Sequence, residues 1–171
     1  MAVDIVEIAG TQGWTIGVAE SLTGGLVAAA LISVPGASAV VRGGLVTYAA
    51  DLKCSVLGVP EDVISQHGTV SQQCAEAMSR GACQVLGATF SVSTTGVAGP
   101  DSSEGQPPGT VHLAVTARVE GREEVTVHQA LHTRGSRSDI RANATQAGLS
   151  LLLTTLRAHG RPAQSGGGGV R

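Results

Sequence analysis

The chain has 171 residues, of which 42% are hydrophobic and 14% are charged, and its formal net charge is -2. This length suits one globular domain with a substantial core, and because the chain has no basic run we expect no nucleic-acid partner. The start of the chain lacks the basic flank and apolar run of a signal peptide, and no apolar stretch is long enough to cross a membrane, so we expect a cytoplasmic protein with no membrane partner.

Helices and strands are predicted to alternate in the first half of the chain. Apolar residues at helical spacing mark the helices, and short apolar runs bounded by glycine, proline and polar residues mark the strands. The predicted helices cover 3–11, 26–32, 51–57 and a short segment between Pro60 and Gly68, and the predicted strands cover 15–19 and 43–47. Such alternation is typical of an open α/β sheet.

The three cysteines, Cys54, Cys74 and Cys83, form no C-x-x-C pair. Their odd number and their spacing argue against a disulfide framework and against a zinc site, so we interpret them as buried thiols. Two of them lie in a helix predicted over 71–87. Ser71 is the expected cap of that helix, and its predicted apolar stripe consists of Cys74, Met78, Ala82 and Val85.

The second half of the chain adds a third strand, a hairpin and a long helix. The predictions are a buried strand over 89–93, a polar, mobile surface loop over 101–108 beside the site, an antiparallel hairpin over 110–119 and 123–132, and a helix from Ser136 onward. The hairpin makes the expected sheet mixed. The glycine-rich segment 161–171 cannot bury enough surface to order itself, so we predict one domain over 1–160 and a disordered tail.

The junction between the first strand and the helix over 26–32 is the first candidate for a functional site. In an open α/β sheet such a junction lies at the carboxyl edge, where backbone N–H groups and the positive end of the helix dipole face solvent. Ser21 lies in this junction. Its hydroxyl could serve as a nucleophile, as a phosphate ligand, or only as a helix N-cap.

Lys53 is the second candidate, because it is the only lysine among eleven basic residues. Every other basic position in the chain holds arginine. A position that holds lysine instead suits a function in which an amine gives up its proton, because a guanidinium cannot do so. The alternative is that one lysine falls by chance on a solvated helix. Tyr48, the only tyrosine, ends the second predicted strand five residues earlier.

Two further segments carry groups that could bind an anion. Hydroxyl residues and glycines follow the third strand, and such small-residue loops expose backbone N–H groups. Arg137 and Arg141 lie one turn apart in the last helix, where the alternative to anion binding is a solvated helix face. The chain has no G-x-S-x-G elbow, Walker loop or dinucleotide fingerprint, and its five histidines have no metal spacing, so we expect no cofactor and no metal.

Eight motifs of the chain, in order, resemble the CinA C-terminal domain family. They are Ala19-Glu20-Ser21-Leu22-Thr23-Gly24-Gly25, Val34-Pro35-Gly36-x-Ser38, Gly43-Gly44-x-Val46-Thr47-Tyr48, Leu57-Gly58-Val59, His67-Gly68-x-Val70-Ser71, Thr95-Gly96-Val97-Ala98-Gly99-Pro100, Pro108-Gly109-Thr110 and Ser138-x-Ile140-Arg141. The resemblance runs from about residue 3 to residue 156.

The resemblance implies a fold and an activity. The expected fold is a three-layer α/β/α domain with a mixed, mostly parallel sheet of about five strands, here as a stand-alone form without the larger N-terminal domain of two-domain members. The expected activity is that of a nicotinamide-nucleotide amidohydrolase, which converts nicotinamide mononucleotide to nicotinate mononucleotide and ammonia. The family's catalytic serine falls on Ser21, and its tyrosine and lysine fall on Tyr48 and Lys53. We also expect a homo-oligomer.

A mechanism follows as a hypothesis from this chemistry and the resemblance. Ser21 would attack the amide, Lys53 or Tyr48 would accept its proton, and either could later protonate the departing ammonia. Candidate oxyanion donors are the backbone N–H groups of the segment 23–25. The residues predicted to bind the substrate are Glu20, Thr23, Gly24, Gly25, Thr94, Thr95, Gly96 and Arg141.

Two positions depart from the family pattern. Leu22 replaces the usual cysteine after the serine, and the segment 101–107 lacks a lysine often found before Pro-x-Gly-Thr. The competing hypotheses are a catalytically weak nucleotide-binding module, in which Ser21 is an N-cap, and a regulatory protein related to the two-domain form.

Overall fold

A five-stranded sheet forms the middle layer of the fold in the computed structural model, which describes residues 1–160. The strands are β1 (Ile16–Glu20), β2 (Val41–Val46), β3 (Phe90–Gly96), β4 (Thr110–Ala117) and β5 (Val125–His132). Their order is β2-β1-β3-β4-β5, with β1 parallel to both of its neighbours and β4 antiparallel to both of its own. The predicted mixed sheet is therefore confirmed. The predicted disordered tail, 161–171, lies outside the described residues.

Six α-helices within residues 1–160 cover the two faces of this sheet. They are α1 (Ala2–Gln12), α2 (Leu26–Ile32), α3 (Ala50–Leu57), α4 (Glu61–His67), α5 (Gln72–Leu86) and α6 (Arg137–His159), and a short 3-10 helix spans Ala37–Ala39. Helices α1, α2 and α6 pack together, while α5 lies on the sheet and supports α3 and α4. None of these helices is both long and apolar enough to cross a membrane.

Strand β1 lies between β2 and β3 in the sheet, and all five of its residues are buried. Val18 packs in a cluster with residues of α1, α2 and α6, whereas its neighbour Ala19 packs against Leu57, Cys74 and Met78 of α3 and α5. Successive side chains of a strand point to opposite faces of the sheet. The two clusters therefore lie on opposite faces of β1, which confirms the expected three-layer α/β/α arrangement.

Side-chain caps explain where two of the helices begin. The Ser71 hydroxyl accepts the Cys74 N–H at 3.2 Å at the start of α5. At the start of α6, Ser136 and Asp139 form a reciprocal capping box. Both starts were predicted from the sequence, and both are confirmed.

Three details of the sequence predictions are wrong. Strand β3 ends at Gly96 rather than at residue 93, because Thr94 and Thr95 continue its pairing with β1 and β4. Val85 is 51% exposed instead of belonging to the apolar stripe of α5. Leu86 occupies that place, since its side chain lies against Gly17 of β1. Cys54 is only half-buried, although Cys74 and Cys83 are buried as predicted.

Candidate active site

Ser21 lies immediately after β1, at the carboxyl edge of the sheet. Its N–H donates to the Thr94 carbonyl at 2.9 Å, which extends the pairing of β1 with β3 by one residue. Its side chain is 8% exposed and lines a cleft of about 240 Å³. The remaining walls of this cleft come from residues 69–70, 95–99, 101 and 103, together with Tyr48, Lys53 and Arg137.

Lys53 reaches the same cleft from α3. Its Nζ atom lies 3.2 Å from the Ser21 Oγ atom, 2.7 Å from the Thr47 carbonyl oxygen and 3.4 Å from the Tyr48 carbonyl oxygen. The side chain is 1% exposed, and no carboxylate lies among its hydrogen-bond partners. The structure therefore brings together the two residues that the sequence singled out independently.

The surroundings of Lys53 favour its neutral form. Burial lowers the pKa of Lys53 below its ordinary value of 10.5, and the neighbouring groups Cys74, Glu104 and Cys54 oppose this shift without cancelling it. Burial also raises the pKa of the Cys74 thiol to about 11, so this thiol stays protonated near neutral pH. Burial therefore disfavours the charged form of both groups, the ammonium of Lys53 and the thiolate of Cys74.

The hydrogen-bond pattern around Lys53 suits a proton acceptor. A neutral amine has two N–H groups and one lone pair. Two backbone carbonyls, those of Thr47 and Tyr48, can accept the two N–H groups. The lone pair is then left for the Ser21 hydroxyl, which can donate to it across the 3.2 Å contact.

Tyr48 lines the cleft but does not hydrogen-bond to Ser21. Its side chain is 60% exposed, and its hydroxyl accepts from Arg137 Nη2 at 2.9 Å. Arg137 Nη1 also donates to the Gly99 carbonyl at 2.7 Å. In this geometry the tyrosine is coupled to a cation at the rim of the cleft, and the lysine is the nearer base.

Glu20, predicted to bind substrate, has its carboxylate at the start of α2. The carboxylate accepts the N–H groups of Gly25, Val27 and Ala28 at 2.9, 3.2 and 2.9 Å, and the residue is 1% exposed. These are donors that a helix leaves free at its N-terminus. Glu20 therefore supports α2 and the turn that carries Ser21.

The predicted oxyanion donors after Ser21 are largely occupied. The Gly24 N–H donates to the Ser21 carbonyl at 3.1 Å, and the Gly25 N–H donates to Glu20. Arg141, predicted to bind phosphate, donates instead to the carbonyls of Leu22 at 2.9 Å and Thr23 at 2.8 Å. These contacts occupy the N–H groups of Gly24 and Gly25 and the Arg141 guanidinium, so the oxyanion hole over 23–25 and the phosphate contact of Arg141 stay predictions.

The end of β3 offers a different donor. The hydroxyls of Thr94 and Thr95 are bonded within the protein, to the Thr23 hydroxyl and to the Thr69 carbonyl, both at 2.7 Å. Alternate N–H groups of β3 point towards β1, as that of Phe90 does. The Gly96 N–H falls on this side. Among residues 1–160 the Gly96 N–H donates to no backbone carbonyl, that of Ser21 included.

Comparison with known proteins identifies the family. The sequence model of the CinA C-terminal domain matches residues 1–156. The chain belongs to the CinA C-terminal domain family. A CinA-like protein of Frankia casuarinae is 44% identical over 138 residues, which are 81% of this chain and 31% of the relative. The chain spans about a third of the length of the curated relatives it matches.

Solved CinA structures share the fold. A CinA superfamily protein of Klebsiella pneumoniae has a TM-score of 0.85 at 30% identity, with 92% of this chain and 96% of that chain covered. A competence/damage inducible protein of Agrobacterium tumefaciens has a TM-score of 0.80 at 37% identity, with 90% and 96% covered. The CinA fold predicted from the sequence is therefore confirmed.

Sequence reasoning missed part of this CinA cleft. Thr69 and Val70 line it, and neither is among the predicted site residues. Asp101 and Ser103 also line it, as expected for a polar loop beside the site. The motif that contains Val70 indicates only the family, because nothing in its residues indicates a wall of the site. A larger open groove of about 900 Å³ runs along α3 and α4 and includes neither Ser21 nor Lys53.

Proposed function

We propose that this CinA domain hydrolyses the carboxamide of nicotinamide mononucleotide, giving nicotinate mononucleotide and ammonia. The observation that carries the proposal is the contact of 3.2 Å between the Ser21 hydroxyl and the buried amine of Lys53. An amide is a poor electrophile, so its hydrolysis needs an activated nucleophile. A buried lysine with a lowered pKa and no carboxylate among its hydrogen-bond partners supplies that activation.

In the first half of the reaction Ser21 Oγ attacks the carboxamide carbon while its proton moves to Lys53 Nζ. The tetrahedral intermediate carries its negative charge on the former carbonyl oxygen. As the intermediate collapses, the C–N bond breaks and the Lys53 ammonium returns the proton to the departing nitrogen, which leaves as ammonia. An ester between Ser21 and the nicotinoyl group remains.

In the second half water attacks the ester, and Lys53 takes a proton from the water and passes it to Ser21 Oγ as the ester breaks. The products are the carboxylic acid and the free serine. The Gly96 N–H is our candidate for an oxyanion donor, because it points to the Ser21 side of the cleft and meets no backbone acceptor among the described residues.

Arg137 replaces Arg141 as our candidate for binding the phosphate of the nucleotide. Both guanidiniums lie in α6 and each makes two hydrogen bonds within the protein, but Arg137 lines the cleft, whereas Arg141 is held by two carbonyls of the turn after Ser21. Arg137 is exposed at the rim of the cleft, where a guanidinium can meet a phosphate with two parallel hydrogen bonds. We accordingly propose that Arg141 and Glu20 act by holding the turn that carries Ser21.

The direct test measures ammonia and nicotinate mononucleotide after incubation of the chain with nicotinamide mononucleotide. Ser21→Ala should lower kcat by about 10³-fold or more while leaving the fold intact, because the hydroxyl is the nucleophile and contributes little packing. Ser55→Ala is a matched control, since this hydroxyl is exposed on α3 and bonds only to a helix carbonyl. Rapid quenching and mass spectrometry should detect the nicotinoyl ester on Ser21.

Two results would contradict this function. Binding of the nucleotide without release of ammonia would make the domain a binding module. A Ser21→Ala variant that keeps its rate within about threefold of wild type, but loses about 1 kcal/mol of stability, would make Ser21 a helix cap.

A further inference from the structure

A strained turn lies in the polar loop beside the cleft. The Ser103 N–H donates to the Gln106 carbonyl at 3.1 Å, and the Gln106 N–H donates to the Ser103 carbonyl at 2.8 Å. The two residues between them have positive φ, 52° at Glu104 and 74° at Gly105. Turns with two positive φ angles favour asparagine and glycine. Glutamate is unfavourable there, and among residues 1–160 Glu104 is the only residue other than glycine with positive φ.

The side chain of Glu104 explains why glutamate occupies this position. Its Oε2 accepts the N–H of Thr69 at 2.7 Å and the N–H of Val70 at 3.3 Å, and its Oε1 accepts the Thr69 hydroxyl at 2.7 Å. Three hydrogen bonds to one carboxylate offset the conformational cost of the turn. They fasten the polar loop to the segment that precedes α5.

These bonds join two walls of the cleft. Thr69 and Val70 line the cleft on one side, and Asp101 and Ser103 line it on the side of the polar loop. The Thr69 carbonyl in turn accepts the Thr95 hydroxyl at 2.7 Å, which ties the contact to the end of β3. The Glu104 carboxylate is thus connected, through Thr69, to the end of β3, which carries the Gly96 N–H.

We propose that Glu104 is a positioning residue, which clamps the loop over 101–108 to Thr69 and Val70 and so sets the width of the cleft that Lys53 lines. This role rests on the proposed function. The charged and titratable groups that act on Lys53 are Cys74 from α5, Glu104 from the loop and Cys54 from α3 itself. Glu104 is the only carboxylate among them, and it favours the protonated amine.

Two substitutions distinguish the hydrogen bonds of Glu104 to Thr69 and Val70 from its conformation in the turn. Glu104→Asn suits the positive φ of the turn but is too short to hold Thr69 and Val70. The relieved strain and the three lost hydrogen bonds act on stability in opposite directions, so thermal stability should change little. Glu104→Gln keeps the length and removes the charge. Glu123→Gln is the matched control, because Glu123 is exposed in the connection between β4 and β5.

In Glu104→Asn the amide protons of Thr69 and Val70 should exchange with solvent about tenfold faster or more, since each loses a bond to a carboxylate. The KM for nicotinamide mononucleotide should rise more than kcat falls. In Glu104→Gln the pKa of Lys53 should fall. Because Lys53 is the only lysine, isotope-labelled lysine gives one side-chain resonance whose titration reports this pKa without any turnover.

Unchanged exchange at Thr69 and Val70 in Glu104→Asn would overturn the clamp. Faster exchange with an unchanged KM, kcat and Lys53 titration would overturn the positioning role. Failure of the proposed function can be distinguished from failure of this proposal, because wild type itself would then release no ammonia. The hydrogen-exchange and titration measurements would still decide whether Glu104 holds the loop and acts on Lys53.

Discussion

Replacing Lys53 tests the assignment of the base most sharply. Lys53→Met keeps most of the side chain's length and removes the amine that lies within 3.4 Å of Ser21 Oγ and two carbonyls. Ser21 then has no proton acceptor, so kcat should fall by about 10²- to 10⁴-fold, the range for lost general acid–base catalysis. Lys53→Arg should also lose about 100-fold or more, since a guanidinium does not titrate near neutral pH.

The lowered pKa of Lys53 also predicts how the rate and the stability change with pH. Burial lowers the pKa of Lys53 below 10.5, so kcat/KM of wild type should rise with pH as the amine loses its proton. Between the lowered pKa and 10.5 the unfolded chain holds more protons at Lys53 than the folded chain. The free energy of unfolding should therefore also rise with pH across this window, and Lys53→Met should abolish both rises.

The assay combines initial rates of ammonia release with urea unfolding over a range of pH values. Ser55→Ala, on the same helix as Lys53, serves as the control for handling and folding. A Lys53→Arg variant that retains more than about a tenth of the wild-type rate, with the same pH profile, would refute the reasoning. Lys53 would then supply only charge, and the proton would go to Tyr48 or to water.

Two further substitutions test the roles given to Arg137 and Glu20. Arg137→Met should raise the KM for nicotinamide mononucleotide about tenfold but leave hydrolysis of nicotinamide riboside, which lacks the phosphate, nearly unchanged. Arg134→Met is the control. Equal losses of activity on both substrates would contradict phosphate binding by Arg137. Glu20→Gln should lower the free energy of unfolding by about 2 kcal/mol, because a neutral amide replaces a carboxylate that accepts three N–H bonds. The control is Glu7→Gln, which changes an exposed residue of α1. A loss of stability no larger than that of the control would contradict the capping role of Glu20.

Much of the fold could be predicted because the local signals agree with the tertiary structure. Helix α2 covers 26–32 as its apolar pattern indicated, and α6 begins after Ser136, where a capping residue precedes helical spacing. Ser21 and Tyr48 each follow a strand. Because β1 and β2 are parallel neighbours, their carboxyl ends meet, and the lysine in the next helix is brought to the same place.

The errors arose where a distant partner decides the outcome. Thr94 and Thr95 read as a loop, but pairing with β1 and β4 keeps them in β3. Arg137 and Arg141 have the same residue type and lie one turn apart, so their sequence does not tell which one faces the cleft. Arg141 is directed to the turn after Ser21 by two carbonyls that are about 118 residues away along the chain.

The last prediction links the pKa of Lys53 to the packing of α3 on α5. Gly81 of α5 lies so close to the last residue of α3, Leu57, that an added Cβ would overlap the Leu57 carbonyl. Lys53 lies one turn before Leu57, and α3 docks on α5, which keeps Lys53 buried.

Gly81→Ala should therefore displace α3 and admit water to Lys53. The free energy of unfolding should fall by about 1–3 kcal/mol, as for an overpacked core. Because weaker burial returns the pKa of Lys53 towards 10.5, the pH at which kcat/KM rises should move upward. The control is Gly13→Ala, which strains a left-handed backbone with no atom near its Cβ and should cost stability alone. If both variants lose stability but share the wild-type pH profile, the packing of α3 on α5 does not set the proton affinity of Lys53.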